Sequence, residues 1–397
     1  MKIALFTDGI SPLVMGGIQR HSYYLCKYLA RNGIEIDLYH TVPYFAQSYE
    51  EGVEKDYSNL SSVFSKDELR SITSFFIPFP KHKKLPGHYV RESYEYSCRV
   101  YEAFLKHSDN VDFVYSKNYT SWKYLEEKQK GKSIPPIGVM LHGYEIFQTQ
   151  TNATDFLGTF FHKEPTIFNS RMADIVFSYG GKISEILKKK TGVLPEQIYE
   201  IPTGISEDWL LQDEKKTRHN GKTNFVFLGR YTRRKGIHLI EQVIRECDPE
   251  SCTFTFVGPI PESRQLKLPN VEYTGPLHDE FDIRKELQKA DVLLCPSSAE
   301  GMPNVILEGM ASGCAIIATD VGAVSEMVSD EVGALLENHG YELFSRAVEK
   351  IIELNSAELS QLQNNSLRKV KSHFTWDEVV QKKLTSISGF LTDHKSQ

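Results

Sequence analysis

The order of elements in the first forty residues leaves few folds open. "IALFTD" (residues 3–8) reads as a strand, "GISPLVMGG" (9–17) as a loop rich in Gly and Pro, and "IQRHSYYLCKYLARNG" (18–33) as a helix. That helix carries Ile18, Leu25, Tyr28 and Leu29 on one face and stops at Gly33, and "IEIDLYHT" (34–41) supplies the next strand. Strand, helix, strand with short links is a βαβ unit, so the chain is committed to a parallel sheet covered by helices. The alternation blurs between about 45 and 110, then resumes with "VDFVYS", "PIGVMLHG", "ADIVFSYG" and "IYEIPTGI". It starts afresh at residue 224: "NFVFLGR" is a strand, "YTRRKG" a loop, and "IHLIEQVIREC" a helix with Ile237, Ile240, Val243 and Ile244 facing in. "CTFTFVG", "VEYTG", "DVLLCPS" and "CAIIATD" follow as strands. Two βα series separated by the polar stretch at 206–224 predict two Rossmann-like domains with a cleft between them.

Length and charge bound what such a chain does. At about 150 residues per domain, 397 residues suit two or three domains. A net charge of −6 argues against a dedicated nucleic-acid binder. No apolar run approaches the ~18 residues that cross a bilayer, and "MKIALFTDG" is too short in its apolar part for a secretory signal, so a cytoplasmic protein is expected. The six cysteines include no CxxC pair and sit in apolar contexts, which predicts buried free thiols, not a zinc site or a disulfide framework.

Chemistry concentrates in a few short stretches. "VLLCPSSAEGMPNVILEGMASGCAII" reads as strand, loop, helix, glycine stop and strand, with Pro303 in the first helical turn and Gly313 just past the end. Glu300 then lies in a loop at the carboxyl edge of a strand, and Glu308 about one and a half turns into the helix. Free backbone N–H groups at 301–304 aim at an anion. Two carboxylates around a patch of donors suit a ligand with hydroxyls at both ends and phosphate in the middle. They equally suit a helix dipole complemented by Glu300 and a solvated Glu308. "LGRYTRRKG" places Arg230, Arg233, Arg234 and Lys235 in one strand-to-helix loop, where cations hold a diphosphate by charge-assisted hydrogen bonds. Gly16-Gly17 lets a backbone approach a ligand, but it forms neither GxGxxG nor a P-loop. His142 ends a strand at the same edge; a lone histidine is more often structural than catalytic.

Taken together, "GGIQRH", "LHGYE", "IPTGI", "LGRYTRRKG", "VEYTG" and "EGMPNVILEGMASGCAIIATDVGAVSEMV" resemble, in order and over nearly the whole chain, the retaining GT-B glycosyltransferases, specifically family 4 (group 1) of nucleotide-sugar-dependent enzymes. Glu300 and Glu308 match that family's E-x7-E motif. The resemblance implies an α/β GT-B fold, with an acceptor-binding domain over 1–203, a nucleotide-sugar-binding domain over 204–375, and a C-terminal helix at 376–397 returning to the first. It implies that Glu308 binds the ribose hydroxyls and that Glu300 lies beside the donor sugar. The amides of Gly301, Met302 and Asn304 hold sugar and phosphate, and Arg230 and Lys235 neutralise the diphosphate. Gly16 and Gly17 approach that diphosphate, His142 touches the sugar near the reacting carbon, and the turn from Gly275 to Leu277 lies against the base. His142, Arg230, Lys235 and Glu300 are the expected catalytic set. Two departures stand out: Thr203 replaces the usual Asn between the domains, and Gly258 is what remains of a usual glycine pair.

The chain contains no DxD carboxylate pair, so no metal is expected and the fixed cations replace one. No cofactor is expected beyond the donor, a UDP-sugar first and a GDP-sugar second. The expected reaction moves a sugar to a saccharide or lipid-linked saccharide in bacterial surface-glycan synthesis. The rivals are a sugar-nucleotide epimerase and a sugar-nucleotide binder without activity. "SFFIPFPKHKKLPGHYVRESYEY" sets Phe75, Phe76 and Phe79 beside Lys81, Lys83, Lys84 and Arg91. That pattern suits peripheral contact with an anionic membrane at its inner face, or core phenylalanines followed by a solvated loop.

Overall fold

The protein is represented by a computed structural model that describes residues 1–14, 16–42, 59–83, 85–148, 153–213 and 221–395. Its first half runs β1 (Lys2–Phe6), α1 (Gly17–Arg31), β2 (Glu35–His40), α2 (Lys66–Leu69), β3 (Ile72–Phe76), α3 (His88–His107), β4 (Phe113–Lys117), α4 (Trp122–Gln129), β5 (Ile137–Met140), α5 (Ala153–Met172), β6 (Ile175–Ser178), α6 (Gly181–Ile186) and β7 (Ile198–Glu200). The second half runs β8 (Thr223–Leu228), α7 (Ile237–Glu246), β9 (Cys252–Val257), β10 (Val271–Gly275), α8 (Glu280–Lys289), β11 (Val292–Cys295), α9 (Asn304–Ala311), β12 (Ala315–Thr319), α10 (Val324–Met327), β13 (Gly333–Leu336), α11 (Tyr341–Glu353), α12 (Ser356–His373) and α13 (Trp376–Lys395).

The strands form two sheets, ordered β3-β2-β1-β4-β5-β6-β7 and β10-β9-β8-β11-β12-β13. Every pairing is parallel. Strands covered on both faces must be apolar throughout, and β4, β5, β6, β11 and β12 are buried along their whole length. In each sheet the strand order reverses once: between β1 and β4 in the first, and between β8 and β11 in the second. Crossovers leave in opposite directions there, so the strand carboxyl ends open a crevice suited to ligands.

The sequence reading differs from the structure in four places. "ITSFF", inside the blurred stretch, is β3, and "GALL" is β13, neither foreseen as a strand. Pro303 is the residue before α9, one position outside its first turn. Of the cysteines, Cys98 and Cys247 are only partly buried, the other four fully; all six are free. Of the two readings of the 74–96 stretch, the structure supports the core one for two phenylalanines: Phe75 is stacked between Tyr39 and His107, and Phe79 packs on Tyr96, while Phe76 is half-buried against His40. Lys84 and the stretch 43–58 lie outside the described residues.

After β13 the chain returns to its start. Residues Ile205 and Thr375 pair side by side where the two crossing segments meet. Trp376, which opens α13, is 1% exposed; it stacks on Tyr24 and Tyr28 and meets His21 edge-on. From there α13 runs against α1 and delivers Lys383 to the interior beside Tyr115 of β4.

Candidate active site between the two sheets

The loops at the two reversal points face each other. On the second sheet, the β8–α7 loop folds as a short 3-10 turn over Arg233–Lys235 that ends at Gly236, held at φ +72 with its backbone against the carbonyl of Pro296. A Cβ there would lie 2.0 Å from that oxygen, so only glycine permits the contact. This packing brings Lys235 to the loop after β11, where its Nζ donates to Glu300 Oε1 at 2.5 Å. Arg234 donates to the carbonyl of Ala299 at 3.2 Å. Arg230 is exposed, with no ion pair among the described residues. Glu300 is 7% exposed.

Glu308 is the fifth residue of α9 and 5% exposed. Its Oε1 accepts from Arg20 of α1 at 2.6 Å, an ion pair between helices that flank different sheets. Arg20 also meets Glu280 at 3.0 Å and lies over the Trp209 ring. Burial raises the Glu308 pKa above its ordinary value, and Arg20 pulls it back. Burial also opposes the Arg20 charge, but Glu308 and Glu280 outweigh it and the guanidinium is held more firmly than usual.

The amino terminus of α9 looks onto that of α1. A Cβ built on Gly17 would lie 3.8 Å from the Asn304 side-chain nitrogen, and both Gly16 and Gly17 are exposed. The amides of Gly301 and Met302 have no partner among the described residues. Gly301 passes so close to Gly143 that an added Cβ would sit 2.8 Å from its Cα, which puts the loop carrying Glu300 directly on the loop carrying His142. Gln148 fastens the two, donating to the Glu300 carbonyl at 2.7 Å and accepting from its amide at 3.2 Å. Thr203, at the departure from the usual linker, gives its amide to Met302 Sδ at 3.2 Å. Gly258, the other departure, is in contact with the Gly229 carbonyl and bonds through its amide to Gly275. Leu277, expected at the base, is half-buried beyond β10, across β9 from the β8 loop.

His142 sits at the end of β5 with both ring nitrogens engaged: Nδ1 with the Tyr179 hydroxyl at 2.6 Å, Nε2 with Lys117 Nζ at 3.2 Å. Burial lowers its pKa well below the ordinary value, and Lys117 and Lys383 lower it further.

The structure thus joins Glu300 with Lys235, brings Gly17 to Asn304, and sets His142 against Gly301. Glu308 is joined to a residue that sequence reasoning left without a role, Arg20, although it stood inside "GGIQRH". Lys117, His21, Tyr179 and Gln148 were also missed. The available signal for Lys117 was a lysine ending an otherwise apolar central strand, where an unneeded charge is costly.

Two facing parallel sheets of this topology define the GT-B fold. The sequence family Glycosyltransferase Family 4 matches residues 15–209, and Glycosyl transferases group 1 matches residues 222–354. The chain belongs to this glycosyltransferase family. It is 26% identical over 315 residues, covering 76% of this chain and 81% of the relative, to an uncharacterised glycosyltransferase of Methanocaldococcus jannaschii. It is 27% identical to the putative teichuronic acid biosynthesis glycosyltransferase TuaC of Bacillus subtilis over 185 residues, covering 44% of this chain and 46% of that one. Among solved structures, Anabaena Alr3699/HepE in complex with UDP-glucose superposes with a TM-score of 0.63 at 16% identity, over 98% of this chain and 100% of that one.

The Arg20–Glu308 pair carries a pH signature. A carboxyl group whose folded pKa is raised binds more protons folded than unfolded, so its contribution to stability falls as pH rises from the ordinary value through the folded one. Arg20→Ala removes the cation that limits this rise. The variant's deficit in chemical denaturation is therefore expected to be smallest at and below the ordinary glutamate value of 4.5 and to grow toward neutrality, reaching about 3–5 kcal/mol. A deficit that does not change with pH would show that Glu308 does not depend on Arg20.

Proposed function

We propose that the protein is a metal-independent retaining glycosyltransferase that takes a sugar from a nucleoside-diphosphate donor, UDP-sugar first and GDP-sugar second. The observation that carries this is the Lys235–Glu300 pair beside the unpartnered Gly301 and Met302 amides at the reversal point of the second sheet. It puts a fixed cation, free donors and a hydroxyl acceptor within one loop pair, as a sugar linked to diphosphate requires.

In this reading Glu308 offers the oxygen that Arg20 leaves free to the ribose, while Gly275 to Leu277 line the base and Gly16 and Gly17 let the diphosphate pass close to α1. The bond from the anomeric carbon to the phosphate oxygen breaks. Arg230, Lys235 and the amides at 301, 302 and 304 stabilise the charge that develops on that oxygen. The acceptor oxygen bonds to the same face, and its proton passes to the departing phosphate. Glu300 is a positioner of the sugar, since its carboxylate is already committed to Lys235. An epimerase would need free acid and base groups here, and both nitrogens of His142 are engaged within the protein. The name of the Bacillus relative supports a role in surface polysaccharide synthesis.

Two pairs of measurements test the assignment of roles. Glu308→Gln is expected to weaken binding of UDP in isothermal titration by about 1.5–3 kcal/mol, the worth of a charged hydrogen bond. Glu300→Gln should keep UDP affinity and lose turnover; equal losses in both would refute the division. Activity should also survive EDTA, and Lys235→Ala should lower turnover by about 10²–10³-fold. Activity lost to EDTA and restored by manganese would overturn the charge assignment.

We also propose that the acceptor domain touches an anionic membrane, through the cations first expected but with other apolar residues. Leu85, Tyr89 and Phe161 are exposed at 59%, 44% and 39%, beside exposed Lys81, Lys83 and Arg91. A Cβ at Gly87 would lie 2.9 Å from the Phe161 ring, so Phe161 and the 85–89 segment form one patch. No helix among the described residues is long and apolar enough to cross a membrane, so contact would be peripheral. Leu85→Ser with Tyr89→Ser should cut sedimentation with anionic vesicles severalfold, and a parent that ignores such vesicles at low salt would end the proposal.

A further inference from the structure

Behind His142 lies a buried cluster of nitrogen bases that none of the roles above uses. Lys117 ends β4 at 0% exposure and His21 of α1 is 3% exposed. Lys117 Nζ lies 2.5 Å from His21 Nδ1, 3.2 Å from His142 Nε2 and 3.8 Å from Met140 Sδ. Among the described residues no carboxylate bonds to it; Asp8 is held by Asn118 at 3.0 Å and Gln19 at 3.3 Å. Lys383 lies nearby on the far side of Tyr115, donating to its hydroxyl at 3.3 Å.

The far end of the cluster settles where the protons are. His21 Nε2 is buried and has no partner among the described residues. An orphaned buried N–H is costlier than an unused ring lone pair, and Nε2 has no acceptor within reach among the described residues, so the His21 proton belongs on Nδ1. Nδ1–H then points at Lys117 Nζ, which must accept through its lone pair. An amine that accepts once has two protons left, and one of them faces His142 Nε2. His142 therefore accepts at Nε2, carries its own proton on Nδ1, and donates it to the Tyr179 hydroxyl. The conclusion for His142 holds for an ammonium too, because three N–H bonds leave no lone pair for His142 to donate to. Burial, aided by Lys383 and opposed by the nearby Asp8 charge, lowers the Lys117 pKa well below its ordinary value, in keeping with the uncharged form.

We propose that Lys117 is a positioning residue: by accepting from His21 Nδ1 and donating to His142 Nε2, it locks His142 as the Nδ1–H tautomer and fixes its ring where the β5 loop meets the Glu300 loop. Tyr179 cannot make that choice alone, since a hydroxyl donates or accepts with equal ease. The functional consequence rests on the reading that His142 borders the donor sugar. The tautomer itself does not.

Nitrogen-15 imidazole spectra of the full chain read the tautomer directly, with His142→Gln and His21→Gln variants to assign the two rings. Both rings are expected as single Nδ1–H tautomers between pH 6 and 8, although free imidazole favours the proton on Nε2. Either ring found with its proton on Nε2, or as an exchanging mixture, overturns the relay. Lys117→Met, close in volume and apolar, should leave the histidine signals outside this cluster in place but turn His142 into a mixture. Lys117→Gln, which can still donate to Nε2, should restore the single form in part. A Lys117→Met protein that keeps the Nδ1–H form would show that Lys117 does not set it. If UDP-glucose is turned over, Lys117→Met should lower kcat by up to about 10²-fold with UDP affinity unchanged, the scale of a misplaced contact. Loss of that effect alone, with the tautomers as expected, would count against the donor-sugar reading and not against the relay.

Discussion

A carboxylate buried as deeply as Glu308 needs a cation, and in this molecule the cation comes from the other sheet. Arg20 leaves α1, crosses the cleft and bonds to Oε1 at 2.6 Å. Without it, the group expected to receive ribose hydroxyls would tend to protonate and lose its strength as an acceptor. The pair also ties the start of the chain to α9, so the spacing of the cleft and the charge on its floor depend on one contact. Glu280 and Trp209 hold the guanidinium from its other side, which keeps the geometry of the pair in place.

The Lys235–Glu300 pair repeats that solution within the second sheet, at 2.5 Å and equally shielded. The floor of the first sheet is built the other way. Lys117, Lys383, His21 and His142 gather there with no carboxylate bonded to any of them. Bases buried without a bonded carboxylate favour the uncharged form: burial carries the Lys383 pKa down to about 7 and lowers that of Lys117 against the pull of the nearby Asp8 charge. The site is thus asymmetric. The second sheet lines the cleft with fixed ion pairs, while the first lines it with hydrogen-bonded bases that no carboxylate bonds among the described residues.

Most of the fold was legible because parallel strands buried on both faces are written as apolar runs, and because glycines mark the loops. β3 was missed since its "ITSFF" is an edge strand with polar residues among the aromatics, surrounded by charged sequence that hides the period. β13, an edge strand of the second sheet, is four small and apolar residues, too short to separate from a turn. Within the site, sequence reading named both members of one contact, Lys235 and Glu300, because each stands in a short, chemically marked stretch. What stayed hidden were partners from distant elements. Arg20 and Glu308 are 288 positions apart, Lys117 and His21 are 96 apart, and no local spacing encodes either meeting.

The same distance in sequence explains why α13 matters to the site although it contributes no ligand group. Trp376 packs edge-on against His21, and Lys383 occupies the space below Tyr115. If α13 were absent, His21 would face solvent, its Nε2 would find water, and the proton would be free to sit on either nitrogen. Lys117 would then have no fixed donor and His142 no fixed acceptor role. The last helix therefore acts by exclusion. By keeping water from one ring nitrogen of His21, it sets the direction of a hydrogen-bond chain that ends at the cleft.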